Sequence, residues 1–242
     1  MNDYDLFVRR FKTLRASRGV AVREVACVNA PRTLLCADVG DSAKPQIALC
    51  AGVHGDEPAG PWALLGLLED DALDRRYSYR VWPCTNPSGF RAGTRESADG
   101  ADINRSFGRG GTTPEARAIV TSNRNRKFPL SIDLHEDCDA AGFYCYEYGG
   151  TDLGIAAVES VAAAGFVLED LGPSFARGRM LPDPIAEADD IGGLSYTLAV
   201  IRHAAARALT FESPTRAPWD ARLAMHRAAV CAVIAALPAV AD

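Results

Sequence analysis

The chain has 242 residues, 48% of them hydrophobic and 24% charged, the mix of a soluble globular protein built as one large domain over residues 1–242. Its net charge of -5 argues against a nucleic-acid partner, because phosphate binding needs clustered Lys and Arg. The N-terminus MNDYDLFVRRFKTLRAS has no apolar segment with a small-residue cleavage site. No run approaches the length of a membrane span, so a cytoplasmic location and no membrane contact are expected.

Residues 3–16 have the spacing of an amphipathic helix. VREVACV and TLLCADV are short runs separated by a Pro-containing turn, as in a hairpin. PQIALCAG, with its continuous apolar stretch, reads as a buried strand, and PWALLGLLEDD as the helix after it. SYRVWPC is a strand. The stretch NPSGFRAGTRESADGADINRSFG, residues 86–108, is long, polar and Gly-rich. TPEARAIVTSNRN is a helix, LSIDLH and GFYCYEY are strands, and TDLGIAAVESVAAAG is a helix with a Gly stop. Residues 169–193 form a long irregular segment of the kind that often borders a cleft as a lid or binding loop. It carries Arg177 and Arg179, which could meet a second substrate carboxylate or face solvent. LSYTLAVIRHAAA is a helix, RALTFE a strand, and APWDARLAMHRAAVCAVIAAL a closing helix with Pro218 early in it.

Strands alternating with helices predict an α/β class: a single three-layer α/β/α domain with a mixed, largely parallel central sheet. In such sheets the ligand crevice lies beyond the carboxyl ends of the strands. Polar residues gather at those positions here. His54 and Glu57 follow PQIALCAG, His135 closes LSIDLH, Glu212 closes RALTFE, and Arg91, Arg95 and Arg105 follow SYRVWPC. Two His and one carboxylate, from His54, Glu57 and His135, suit a catalytic zinc that keeps one position open. Glu212 could then act as general base towards an activated water. One Arg could stabilise an oxyanion and another could hold a substrate carboxylate. This chemistry alone does not choose between Arg91 and Arg95.

The ordered motifs resemble the M14-type zinc carboxypeptidase superfamily, which includes carboxypeptidases, murein-peptide amidases and the succinylglutamate desuccinylase/aspartoacylase branch. GVHGDE resembles the first zinc motif and implies His54 and Glu57 as ligands. NPSGF resembles an NPDGF segment, with Ser88 in place of Asp. GTRESADGADINRSF resembles an Arg followed by D-x-N-R-x-F. It implies Arg95 as the oxyanion-stabilising group, with Arg91 as the fallback, and Asn104 and Arg105 as carboxylate binders. TPEARA resembles a short helix start. DLH implies His135 as third ligand with Asp133 behind it, and TFESP implies Glu212 as general base. The resemblance covers residues 48–214. It implies one zinc ion per chain and a small-molecule or peptide substrate that bears a carboxylate.

Three features depart from the family pattern. Only one Ala-rich helix follows Glu212, with no room for an extra C-terminal β domain, which favours the peptidase and amidase branches over the deacylases. Tyr196, the nearest Tyr upstream of Glu212, falls in a predicted helix and reads as a packing residue. HEDCD places Glu136, Asp137 and Asp139 beside the third ligand. There they could favour a cationic substrate, bind a second metal or form a solvated turn. An N-acyl amino acid deacylase is the alternative enzyme. A zinc-binding recognition module without turnover is the alternative of another class, although a general base at Glu212 argues against it. His203 and His226 read as structural.

Seven scattered Cys without CxxC pairs read as reduced thiols. Cys27, Cys50 and Cys84 read as core residues, and Cys138 lies close to a candidate ligand. The basic clusters Arg75–Arg76 and Arg124 to Lys127 read as solvated faces.

Overall fold

The computed structural model describes residues 2–17, 20–149, 152–170, 179–180 and 193–238. Among these residues an eight-stranded sheet has the order β1-β2-β4-β3-β5-β8-β6-β7. Its strands are β1 (Ala21–Ala26), β2 (Thr33–Val39), β3 (Gln46–Ala51), β4 (Ser78–Trp82), β5 (Ser131–Asp137), β6 (Tyr144–Tyr148), β7 (Arg179–Met180) and β8 (Ala208–Pro214). The four central strands β4, β3, β5 and β8 run parallel. β1 and β2 form an antiparallel hairpin, β2 joins β4 antiparallel, and β6 joins β8 antiparallel. The sheet is mixed, with a parallel centre, as the alternation of strands and helices predicts.

The pleat distributes side chains to two cores. Along β3, Ile47, Leu49 and Ala51 enter one core while Cys50 enters the other, the two-residue period of a strand covered on both faces. The larger core is closed by α1 (Tyr4–Ser17), α2 (Ala59–Glu69), α5 (Leu153–Ala163) and α7 (Trp219–Ala236). The other face is covered by α4 (Pro114–Ser122) and α6 (Tyr196–His203). The mean hydrophobic character of α2 follows from its place. Leu64, Leu65, Leu67 and Leu68 are all buried between the sheet and α7, so no side of it needs to be polar.

The polar stretch after β4 is more ordered than its composition suggests. It begins with a short helix, α3 (Pro87–Ala92), whose N-cap Asn86 accepts a hydrogen bond from the Gly89 amide, with Pro87 as the first helical residue. This is the ordinary Asn-Pro helix start, obscured in sequence by the surrounding Gly and Arg. All seven cysteines are free thiols. Cys27, Cys50 and Cys84 are buried, and Cys138 is exposed. No helix among the described residues is long and apolar enough to cross a membrane.

Candidate metal centre and active site

The loop after β3 is shaped by close backbone approach. Gly52 turns the chain with φ +63°, and its carbonyl accepts from the Asn86 amide at 2.8 Å. At Gly55 a Cβ would lie 1.9 Å from the Gly89 carbonyl carbon, so only glycine lets this loop lie against α3. That contact places His54 and Glu57 beside the segment that carries Arg95. Asn86 completes the junction by donating from Nδ2 to the Arg95 carbonyl at 3.0 Å.

His54, Glu57 and His135 converge, with one donor atom from each inside a 4.8 Å group. Glu57 Oε1 lies 2.5 Å from His54 Nδ1, and Glu57 Oε2 lies 2.9 Å from His135 Nδ1. All three residues are buried. The opposite ring nitrogens face carboxylates: His135 Nε2 is 3.1 Å from Asp133 Oδ2, and His54 Nε2 is 3.5 Å from Asp102 Oδ1. A carboxylate behind each imidazole favours a proton on Nε2 and leaves Nδ1 as a lone-pair donor. Two Nδ1 atoms and a buried carboxylate, aimed at one another, fit a divalent metal ion of the zinc type.

The electrostatics agree with that donor set. Burial raises the pKa of the Glu57 carboxyl, but the His135 and His54 imidazoles outweigh it and hold it at about 2. Burial lowers the pKa of His135, yet Asp133 and Glu57 together raise it well above the ordinary imidazole value. The negative field of Asp133 and Glu57 that raises His135 is the field that suits a divalent cation held by neutral imidazoles.

The cleft around the trio has a volume of about 400 Å³ and is also lined by Arg95, Asn104, Arg105 and Glu212. Glu212 sits on β8 directly across from His135 on β5 in the parallel register. Its carboxyl is raised well above the usual range by burial, which His135 opposes and Glu57 reinforces. Arg95 Nη1 lies 3.2 Å from His54 Nδ1 and 3.8 Å from Glu57 Oε1. Asn104 Oδ1 accepts from the Tyr196 amide at 3.0 Å. Arg105 Nη1 donates to the Asn104 carbonyl at 3.1 Å.

Two groups in or behind the cleft wall were not singled out by sequence reasoning. Asp102 accepts at Oδ2 from Arg95 Nε and Nη2 at 3.3 and 3.1 Å, and at Oδ1 from the Asn104 amide at 2.8 Å. It therefore ties the Arg, the Asn-Arg pair and His54 together. Burial raises its pKa, but His54, Arg95 and Arg105 draw it below the usual carboxylate range. Its signal was its position two residues before Asn104, where a short polar side chain caps the turn Ile103–Arg105. The second group is Tyr144, Tyr146 and Tyr148, which line the cleft from β6. The Y-C-Y-E-Y alternation is what puts three rings on one face.

Other candidates lie elsewhere. Arg91 is exposed, pairs with Asp5 at 2.9 Å and stacks over the Tyr4 ring at 5.2 Å, outside the cleft. Tyr196 is fully buried in α6, a packing residue as its helix predicts. His203 is exposed at the end of α6, while His226 is buried and hydrogen-bonded to Ser213. The HEDCD stretch is not a solvated turn throughout, because β5 runs on to Asp137 and buries Glu136. Asp137 accepts from the Tyr144 hydroxyl at 2.7 Å, and Asp139 and Cys138 are exposed. Of the segment 169–193, residues 171–178 and 181–192 lie outside the described residues, Arg177 and the lid expectation with them. Only the backbone of Arg179, in β7, is described.

The sheet and its flanking helices have the α/β fold seen in solved metallocarboxypeptidases. Residues 43–148 match the model of the succinylglutamate desuccinylase/aspartoacylase catalytic domain. A solved Shewanella denitrificans structure, provisionally named a metallopeptidase, superposes with TM-score 0.81 at 21% identity, covering 99% of this chain and 92% of that one. A Pseudomonas aeruginosa metallo-carboxypeptidase gives TM-score 0.69 at 17% identity over 94% of this chain and 67% of its own. Carboxypeptidase SOL1 of Arabidopsis thaliana is 31% identical over 121 residues, which is 42% of this chain and only a quarter of that protein's length. The likeness in sequence spans residues 43–148, which hold every site residue named from the sequence except Glu212, and the likeness in fold spans nearly the whole chain.

Proposed function

We propose that this chain is a zinc-dependent hydrolase that cleaves an amide or peptide bond next to a substrate carboxylate. The observation that carries the reading is the meeting, in one cleft, of the His54–Glu57–His135 trio with Glu212 and Arg95. His54, Glu57 and His135 would hold the zinc ion, which would supply Lewis acidity. The remaining work falls to side chains. Arg105 holds the substrate carboxylate by charge-assisted hydrogen bonds, with Asn104 beside it. Arg95, braced by Asp102, stabilises the negative charge that develops on the scissile carbonyl oxygen. Glu212 takes a proton from the attacking water onto its carboxylate and passes it to the leaving amine. The Pseudomonas structure holds (2-guanidinoethylmercapto)succinic acid, a ligand that bears carboxylates, and this supports the substrate class.

The match to the succinylglutamate desuccinylase/aspartoacylase model favours a second reading, an N-acyl amino acid deacylase with the same side-chain roles. Mass spectrometry of products separates the two. The zinc-loaded protein is incubated with peptides bearing free or amidated C-termini, murein peptides, and acetyl and succinyl amino acids. Loss of a C-terminal residue from free-acid peptides alone identifies a carboxypeptidase. Release of a diaminopimelate-linked fragment identifies an amidase, and cleavage confined to acyl amino acids identifies a deacylase. Tight ligand binding with no turnover of any of them would overturn the hydrolase and leave a recognition module.

A further inference from the structure

Helix α2 starts without a cap of its own. Pro58 at the N-cap makes no side-chain bond, and no acidic residue lies in the first turn, so its leading amides need an acceptor from elsewhere. The acceptor comes from β5, where Glu136 Oε2 accepts from the Ala59 amide at 2.7 Å. Glu136 Oε1 accepts from Arg222 Nη1 of α7 at 2.6 Å. The Glu136 side chain has no exposed surface and that of Arg222 is 9% exposed. The Arg222 guanidinium also lies over the Trp219 ring at 5.1 Å.

A buried ion pair is a costly way to join three elements, and apolar packing does the same job at lower desolvation cost. What apolar side chains could not supply is an acceptor for the Ala59 amide beside Glu57. Glu136 directly follows His135, and its own amide donates to Glu57 Oε2 at 3.1 Å. Its side chain binds the amide of Ala59, two residues after Glu57. Glu136 therefore grips Glu57 through the carboxylate on one side and through the following backbone on the other. Arg222 holds the Glu136 carboxylate in the orientation that reaches Ala59.

We infer that the buried Glu136–Arg222 pair is a positioning device for the metal donors, fixing the Glu57 carboxylate relative to His135. The inference rests on the reading that the trio holds a divalent ion. Neither side chain touches that ion; both act through Glu57 and the start of α2.

The test is zinc affinity of the apo-protein, measured by competition with a chromogenic chelator, alongside apo-protein melting. Glu136→Gln keeps an acceptor for Ala59 but removes the charge that Arg222 meets. It is expected to weaken zinc binding by about 10–100-fold, the usual range for outer groups that orient a metal ligand. Arg222→Lys keeps the charge with a less rigid donor; a smaller loss in the same direction is expected, and this variant carries the test if Glu136→Gln does not fold. Lower melting with unchanged zinc affinity in both variants would reduce the pair to a helix tie and overturn the inference alone. Wild-type protein that binds no divalent ion would overturn the metal reading together with the inference.

Discussion

His135 and Asp133 lie two residues apart on β5, on the same side of the strand, with His135 Nε2 3.1 Å from Asp133 Oδ2 and both residues buried. The carboxylate fixes the ring orientation and keeps the Nε2 proton, so that Nδ1 faces Glu57. Asp133→Ala removes that restraint and is expected to weaken zinc binding by about 10–100-fold. Isothermal titration of the apo-protein reads the effect. An unchanged dissociation constant would show that the ring is held by packing alone.

Arg95 and Arg91 are four positions apart in sequence but have different partners in space. Arg95 is braced by Asp102 and reaches the trio, whereas Arg91 is spent on Asp5 and Tyr4 at the surface. Arg95→Ala is expected to lower kcat by about 100–1000-fold, the range for loss of one oxyanion donor, with zinc retained. Arg91→Ala is expected to leave kcat within a factor of about two, as for a surface ion pair. Equal losses from the two substitutions would refute the assignment.

Glu212 faces His135 across the sheet register but makes no part of the metal donor group. Glu212→Gln should therefore separate binding from chemistry. Zinc content, read by atomic absorption, is expected to stay near one per chain while kcat falls by about 100–10,000-fold, the scale of general acid–base catalysis. A variant that loses both zinc and activity would place Glu212 among the ligands.

The convergence of His54, Glu57 and His135 was legible because each stands at the carboxyl end of an apolar run, where a parallel sheet opens its crevice. Glu212 was legible for the same reason. Asp102 was not, since a single Asp in the polar stretch ESADGADINR carries no local mark of its three partners. The burial of Glu136 was not legible for a related cause. Its acidic neighbours suggested a turn, while the partner that allows its burial, Arg222, lies 86 residues away on the last helix. Helix α3 was missed because it is only six residues long and holds a Gly that weakens its propensity, and its cap at Asn86–Pro87 was the only local sign. Short-range pattern shows strand ends and helix faces; pairings between distant segments emerge only from the packing.

His226 offers a test of the core beneath the site. Its ring is fully buried on α7, with Nε2 3.0 Å from Ser213 Oγ. Burial, reinforced by the positive charges of His135 and Arg222 and opposed by Glu57, lowers its pKa to about 3 from the ordinary imidazole value near 6.5. The folded value is below the unfolded one, so between these pH values the unfolded chain binds the extra proton. The stability contributed by neutral His226 is therefore fully present above about pH 6.5 and is lost as pH falls towards about 3. The loss approaches ~1.4 kcal/mol per pH unit for one proton. His226→Gln keeps a polar partner for Ser213 and cannot titrate. Its urea-unfolding free energy is expected to start lower at pH 7 yet fall less steeply between pH 6 and pH 4 than that of the wild type. Parallel pH profiles for the two proteins would show that His226 is protonated or hydrated in the folded state.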